Sequence, residues 1–96
     1  MEEMIKVIVK EPGKDPEYKV IKNDFHAMQE IVGGLIEIVS AGDGIILAAN
    51  EEGMIRDLPY NCEIAGHHIF GTFFLCGTDG PDMVSIPGYV TLSERR

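Results

Sequence analysis

The chain has 96 residues, a hydrophobic share of 45% and a formal net charge of −8. This length predicts one domain over residues 1–96, and no apolar run approaches the roughly 20 residues that a membrane-spanning helix needs. The acidic charge disfavours direct binding to nucleic acid, and two cysteines without an export signal predict a cytoplasmic protein.

The negative charge lies beyond the first 22 residues of the chain. Residues 1–22 carry five lysines and five acids, whereas residues 23–94 carry eleven acids and one base, Arg56. The plainer interpretation is that these acids keep a small β-rich protein soluble. The alternative is an acidic surface offered to a basic partner protein.

Alternating residues near the N-terminus predict a β-hairpin. Ile5, Val7 and Val9 share one face of a strand over residues 4–10, and lysines occupy the other face, which is expected to meet solvent. A loop rich in proline and glycine separates this strand from a second one over residues 18–22.

A short helix follows the hairpin. Asn23 is the predicted N-cap, and the glycines after Val32 end the helix. Phe25, Met28 and Val32 lie at helical spacing and are expected to face the core. A helix of about ten residues is marginal alone, so this one must pack on the sheet.

The pattern of the next segment predicts strands over residues 35–40 and 45–49, joined by a tight turn at Asp43. A further short strand is expected over residues 54–56, while residues 62–68 stay undecided between strand and loop.

The uncharged segment over residues 69–77 is the predicted central strand, since a run this apolar needs cover on both faces. A polar loop over residues 78–82, a further pairing segment over residues 83–86 and an undecided tail over residues 87–96 follow. The pattern predicts an α+β fold: a small, mostly antiparallel sheet of about five to six strands with one short helix packed on a face.

Several short motifs occur in a recognisable order. They are I-K-V-I-V-K-E-P-G-K at 5–14, V-G-G at 32–34, I-E-I-V at 36–39, N-E-E-G at 50–53, L-P-Y-N at 58–61 and I-F-G-T-F-F-L-C-G at 69–77. Together they resemble domain-of-unknown-function family 3846, small proteins or modules of phages and mobile elements. The resemblance implies a cytoplasmic protein associated with a mobile element. It brings no established reaction and no catalytic residues.

One cluster of residue types could hold a metal ion. Cys62, His67, His68 and Cys76 follow the spacing C-x4-H-H-x7-C, which lacks the paired ligands of structural zinc sites. Adjacent histidines on a strand also point to opposite faces. We therefore expect no metal, no cofactor and no catalytic residues, and name these four side chains as the candidates if a site exists. A Cys62–Cys76 disulfide or a Cys62–His nucleophilic pair are the other arrangements that these residues allow.

Acidic turn residues are the candidates for contacting a partner. They are Glu51, Glu52, Asp79 and Asp82. The last two flank a Gly-Pro turn, and the pair provides too few ligands for a calcium loop.

The absence of a convergent catalytic set, the acidic surface and the family resemblance favour a non-enzymatic protein-binding module. Its expected partner is a host or element-encoded protein. One alternative is a small-ligand or metal-binding protein, or an enzyme, that uses the region of Cys62, His67 and His68. Another is an acidic DNA mimic that inhibits a host nucleic-acid-binding protein. A homo-oligomer formed through a sheet edge or the tail also stays open.

Overall fold

The computed structural model describes residues 3–92 of the chain. Its helix and strands, in chain order, are β1 (Met4–Lys10), β2 (Glu17–Lys22), α1 (Phe25–Val32), β3 (Ile36–Gly42), β4 (Ile45–Asn50), β5 (Tyr60–Ile64), β6 (His67–Phe70), β7 (Phe73–Asp79) and β8 (Asp82–Val84).

The strands form one large sheet and one separate hairpin. The six-stranded sheet has the order β2-β1-β7-β4-β3, with β8 paired to β7, and all of its pairings are antiparallel. Strands β5 and β6 pair with each other and pack over one face of the sheet, while α1 packs over the other face. This arrangement confirms the predicted α+β fold.

Strand β7 is the centre of the sheet. It pairs with β1 through Phe73–Leu75 and with β4 through Phe74–Gly77, and its apolar residues are buried on both faces. The predicted start at residue 69 is wrong, because β6 ends at Phe70 and Gly71 adopts a φ of +90°. A Cβ at Gly71 would also lie 2.8 Å from Leu58 Cδ1, so the chain turns where no side chain fits.

The prediction of a polar loop over residues 78–82 is also wrong. Strand β7 continues to Asp79, a two-residue Gly-Pro turn follows, and Asp82 begins β8 in direct register with Asp79. The sequence hides this hairpin because β8 has only three residues and the turn residues are also common in longer loops.

Strand β1 is buried on both faces along its second half. Ile5, Val7 and Val9 pack under α1, as predicted, whereas Ile8 and Lys10 on the opposite face are only 2% and 8% exposed. The prediction that this face of β1 meets solvent is therefore wrong at these two positions. The hairpin layer and the segment after β8 cover that side of the sheet.

The helix begins one residue later than predicted. Asp24, not Asn23, is the N-cap, since its Oδ1 accepts a hydrogen bond of 2.8 Å from the Ala27 amide. Asn23 instead donates its side-chain amide to the Met83 carbonyl at 3.1 Å. Phe25 is 63% exposed, contrary to expectation, because the first helical position borders an open groove lined by Met83 and the β7–β8 turn.

The segment between β4 and β5 contains no strand. The short strand expected over residues 54–56 is wrong, because consecutive turns run from Glu51 to Asp57. The Arg56 amide donates to the Glu52 carbonyl at 2.8 Å, and the Leu58 amide donates to the Gly53 carbonyl at 2.9 Å. Residues 62–68, undecided from sequence, form the β5–β6 hairpin with its turn at 65–66.

The described part of the tail, residues 87–92, has no regular secondary structure. It is attached to the sheet by the Tyr18 hydroxyl, which donates to the Val90 carbonyl at 2.9 Å. Residues 93–96 of the predicted tail lie outside the described residues. Within residues 3–92, no helix has the length and apolar character of a membrane span.

Candidate functional site

The sheet separates the two cysteines of the predicted cluster. Cys76 lies in the core beneath α1, whereas Cys62 packs against the core on the hairpin side. The two residues form no disulfide with each other, and they cannot ligate a common metal ion across the sheet.

Cys76 behaves as a small apolar side chain. It is fully buried, and this burial raises the pKa of its thiol to about 11. A thiol must lose its proton to act as a nucleophile or a zinc ligand. At neutral pH Cys76 is therefore an uncharged part of the core.

The two histidines lie side by side on β6. His67 pairs with Ile64 and His68 with Glu63, and both rings are exposed. The Tyr60 hydroxyl and His68 Nδ1 share a hydrogen bond of 3.1 Å, and the two rings are tilted at 42° with centroids 5.9 Å apart. The structure thus gives His68 an aromatic partner that sequence reasoning did not find.

An open cleft of about 100 Å³ lies between β6 and the sheet. His67, His68 and Glu37 line it, together with apolar residues of β3 and β4. No group of three or more His, Cys, Asp or Glu side chains able to hold a metal ion occurs among residues 3–92. The cleft brings polar groups together without the arrangement of a metal centre.

The four acidic candidates lie at opposite ends of the sheet. Glu51 and Glu52 follow the end of β4, whereas Asp79 and Asp82 flank the turn at the end of β7. Strands β4 and β7 are antiparallel, so the end of one lies beside the start of the other. These acids therefore cannot contribute to one continuous surface.

The turn segment over residues 51–57 exposes two adjacent apolar side chains. Met54 is 68% exposed and Ile55 is 85% exposed, which makes Ile55 the most exposed large apolar residue among those described. Sequence reasoning missed this feature because it placed the segment in a strand. The signal available in the sequence was the apolar pair between acids and the Arg-Asp dipeptide.

This segment is held in one conformation by buried contacts. The Asn50 side chain is 6% exposed; its Oδ1 accepts a bond of 2.8 Å from the Glu52 amide, and its Nδ2 donates to the Val32 carbonyl at 3.1 Å. A Cβ at Gly53 would lie 2.6 Å from the Phe70 carbonyl oxygen, so the glycine allows the turn to sit against β6. The turn segment that carries Met54 and Ile55 is therefore held in place by its contacts with α1 and β6.

The loop after α1 is bonded to the same segment. The Arg56 Nη1 donates to the Gly33 carbonyl at 3.2 Å, where a cation is favoured by the helix dipole. The Glu51 amide donates to the carbonyl of Leu35, whose side chain is 52% exposed. We call the resulting end of the molecule the apical surface, formed by Leu35, Glu51, Glu52, Met54 and Ile55.

The motifs that carry the family resemblance have structural roles. In N-E-E-G, Asn50 bonds α1 to the turn segment over residues 51–57, and Gly53 permits the close packing of this segment against β6. In L-P-Y-N, the Asn61 amide donates to the Lys10 and Gly71 carbonyls, each at 2.9 Å. The residues of the first motif therefore hold the apical surface in place, and Asn61 of the second holds the β5–β6 hairpin.

Comparison with known proteins gives one finding. A family model described as a domain of unknown function, DUF3846, matches residues 5–94. None of the curated proteins and none of the solved structures compared with the chain matches it. The family match spans most of the sequence and includes the helix, all seven strands from β2 onward and nearly all of β1. The chain therefore belongs to the DUF3846 family.

Proposed function

We propose that this protein is a cytoplasmic, non-enzymatic protein-binding module of a phage or mobile element. Its partner is a host or element-encoded protein, which binds the apical surface. The observation that carries this proposal is the adjacent pair Met54 and Ile55, 68% and 85% exposed on a segment fixed by buried hydrogen bonds.

An exposed apolar pair supports binding because its burial removes apolar surface from water. Single exposed apolar residues are common, whereas a contiguous exposed apolar patch is typical of a contact site. A segment already held in place also loses little conformational freedom when a partner binds it. Met54 and Ile55 meet both conditions.

The charge of the apical surface indicates the chemistry of the partner. Glu51 and Glu52 precede the apolar pair, and both are exposed. A partner with an apolar pocket bordered by lysine or arginine would match this arrangement. Attraction between exposed charges is screened by salt, so we expect the complex to weaken as ionic strength rises.

A pull-down with three forms of the tagged protein tests the proposal. The wild type should retain a specific protein at low salt, and the double variant Met54→Ser/Ile55→Ser should retain at least about tenfold less, a loss of about 1.4 kcal/mol in binding. Tyr89→Ser is the matched control, since Tyr89 is 82% exposed in the tail. Equal recovery by the double variant and the wild type would contradict the proposal.

The cleft beside β6 supports a second candidate, a small-ligand site. His67, His68 and Glu37 supply converging polar groups beside apolar residues of β3 and β4, and such converging groups fix the orientation of a bound ligand. Titration of the wild type with small-molecule libraries, followed by NMR shifts of the two imidazoles, would detect such a ligand. Unchanged imidazole signals throughout would remove this candidate.

The DNA-mimic alternative has less support. Such a mimic needs acids spaced along one face, whereas Glu51 and Asp79 lie at opposite ends of the sheet. Competition between this protein and duplex DNA for a basic host protein would be its test.

A further inference from the structure

The two edge strands of the sheet differ in how they discourage pairing with another strand. β2 follows Pro16 and carries Lys19 and Lys22, features that protect an edge. β3 has the sequence I-E-I-V-S-A-G, with Glu37 as its one charge and neither lysine nor proline, and its register is regular from Ile36 to Ser40, with an irregularity only between Ser40 and Gly42. The edge at β3 is therefore open to a further strand.

The hydrogen-bonding direction along β3 follows from its neighbours. The Glu51 amide bonds to the Leu35 carbonyl at 2.8 Å, immediately before β3 begins. In an antiparallel ladder, successive residues direct their backbone groups to alternate sides. The groups of Glu37 and Val39 therefore face β4, and those of Ile36, Ile38 and Ser40 face outward.

We propose that β3 is a self-association edge, which pairs antiparallel with β3 of a second copy of this chain. The register is centred on Ile38, so that Ile38 meets its own equivalent and Ile36 meets Ser40. All three outward-facing residues then bond to outward-facing residues, giving about six backbone hydrogen bonds. The two sheets become one continuous sheet, without any change in either copy.

Side chains are compatible in this register. Ile38 is 40% exposed, and on the α1 side it meets the equivalent isoleucine, a favourable apolar pair. On the hairpin side, Glu37 lies opposite Val39 rather than opposite the other Glu37. The one charge of the strand thus avoids its like-charged equivalent, which would destabilise a pair.

The size and charge of the interface set its strength. A single strand pair buries less surface than the roughly 1,200 Å² typical of stable complexes, so the dimer is weak and exchanges rapidly. Each copy has a formal net charge of −8, and this repulsion opposes association. We expect salt to strengthen the dimer, opposite to its effect on the complex at the apical surface. The two proposals can therefore fail independently.

The register can be tested directly, because Ile38 is the one residue of β3 that lies opposite the same residue of the second copy. Sedimentation equilibrium from about 10 μM to about 1 mM should show a wild-type dimer at the upper end, a range set by weak affinities. Ile38→Lys and Ile38→Glu should each be monomeric, since like charges meet at the centre. Mixing these two variants should restore a dimer. Val20→Lys is the matched control on β2, since Val20 is 61% exposed and should leave the dimer intact.

A second measurement requires no variant. At high concentration, amide exchange of Ile36, Ile38 and Ser40 should slow, because these amides become bonded in the dimer. A wild type that stays monomeric at about 1 mM, or that binds strands of other proteins without dimerising, overturns the proposal. A dimer that persists in Ile38→Lys, or amides that exchange equally fast at every concentration, also overturns it.

Discussion

Each of the two layers that cover the sheet is bonded to its surroundings by a buried or half-buried asparagine, and the two asparagines differ in the groups that they hold. On one face, Asn50 bonds to the Val32 carbonyl of α1 and to the Glu52 amide. On the other face, Asn61 bonds to the Lys10 and Gly71 carbonyls and holds the β5–β6 hairpin. The two side chains use the same chemistry for different attachments.

The two asparagines differ in the groups to which their side chains bond. Both polar atoms of Asn50 are bonded, and one of the bonds supports the apical surface. Asn61 Oδ1 is buried without a hydrogen-bond partner, and its amide contacts only the framework. Loss of the Asn50 side chain should therefore reduce both folding and binding, whereas loss of the Asn61 side chain should reduce folding alone.

Asn50→Ala should have the largest effect. It removes the partner of the Val32 carbonyl in a buried site and that of the Glu52 amide in a partly buried one, and we expect a loss of about 3 kcal/mol in the free energy of unfolding. Urea denaturation would measure it. Asn23→Ala is the control, since it removes the bond to the Met83 carbonyl from an asparagine that is only half-buried. An equal loss in the two variants would contradict the importance of Asn50.

Alkaline pH should reveal the second effect. Burial raises the pKa of Cys76 from 9.0 to about 11, so the folded state holds its proton over a range in which the unfolded chain releases it. The resulting stability is full below pH 9 and decreases towards pH 11, by at most about 1.4 kcal/mol per pH unit. The measurement is urea denaturation across this range in the wild type and in Cys76→Ala. Parallel decreases in both proteins would exclude Cys76 as the cause.

Asn61→Ala should have a smaller effect than Asn50→Ala. The substitution removes two hydrogen bonds, but it also removes the buried unpaired oxygen, so we expect a loss of about 1 kcal/mol in unfolding free energy. Partner recovery at the apical surface should stay at the wild-type level in the same protein. A loss of binding in this variant, with the fold intact by circular dichroism, would remove the distinction between the two layers.

Arg56→Ala should have the smallest effect. Arg56 is exposed, and its bond to the Gly33 carbonyl places a cation at the end of the helix. We expect a loss of about 0.5 kcal/mol at low salt and a smaller loss at high salt. Arg56→Lys is the conservative control, since it keeps the charge. If both variants lose the same stability at every salt concentration, the charge has no role.

Local patterns predicted most of the sheet. Alternation indicated β1 and β2, and Asp43 marked the β3–β4 turn, because these features depend on neighbours in the sequence. The apolar character of Phe73–Cys76 correctly indicated a central strand. Each of these elements is specified by residues within a few positions of one another.

The errors concern contacts between distant parts of the chain. Gly71 ends β6 because Leu58 occupies the space beside it, and Phe25 is exposed because the groove beside it stays open. The exposed pair at Met54 and Ile55 depends on the bonds of Asn50 to two separate segments. None of these contacts leaves a periodic pattern in the sequence, so the candidate site could be identified only from the structure.

The position of β7 has a consequence for how the chain assembles. The strand at the middle of the sheet is synthesised after both of its neighbours, β1 and β4, and more than two thirds of the chain precedes it. Until it arrives, the two N-terminal hairpins have no strand to join them, and their apolar faces stay uncovered. Such long-range pairing slows folding and exposes intermediates to aggregation. A ribosome-bound chain truncated before Phe73 should therefore remain dependent on chaperones.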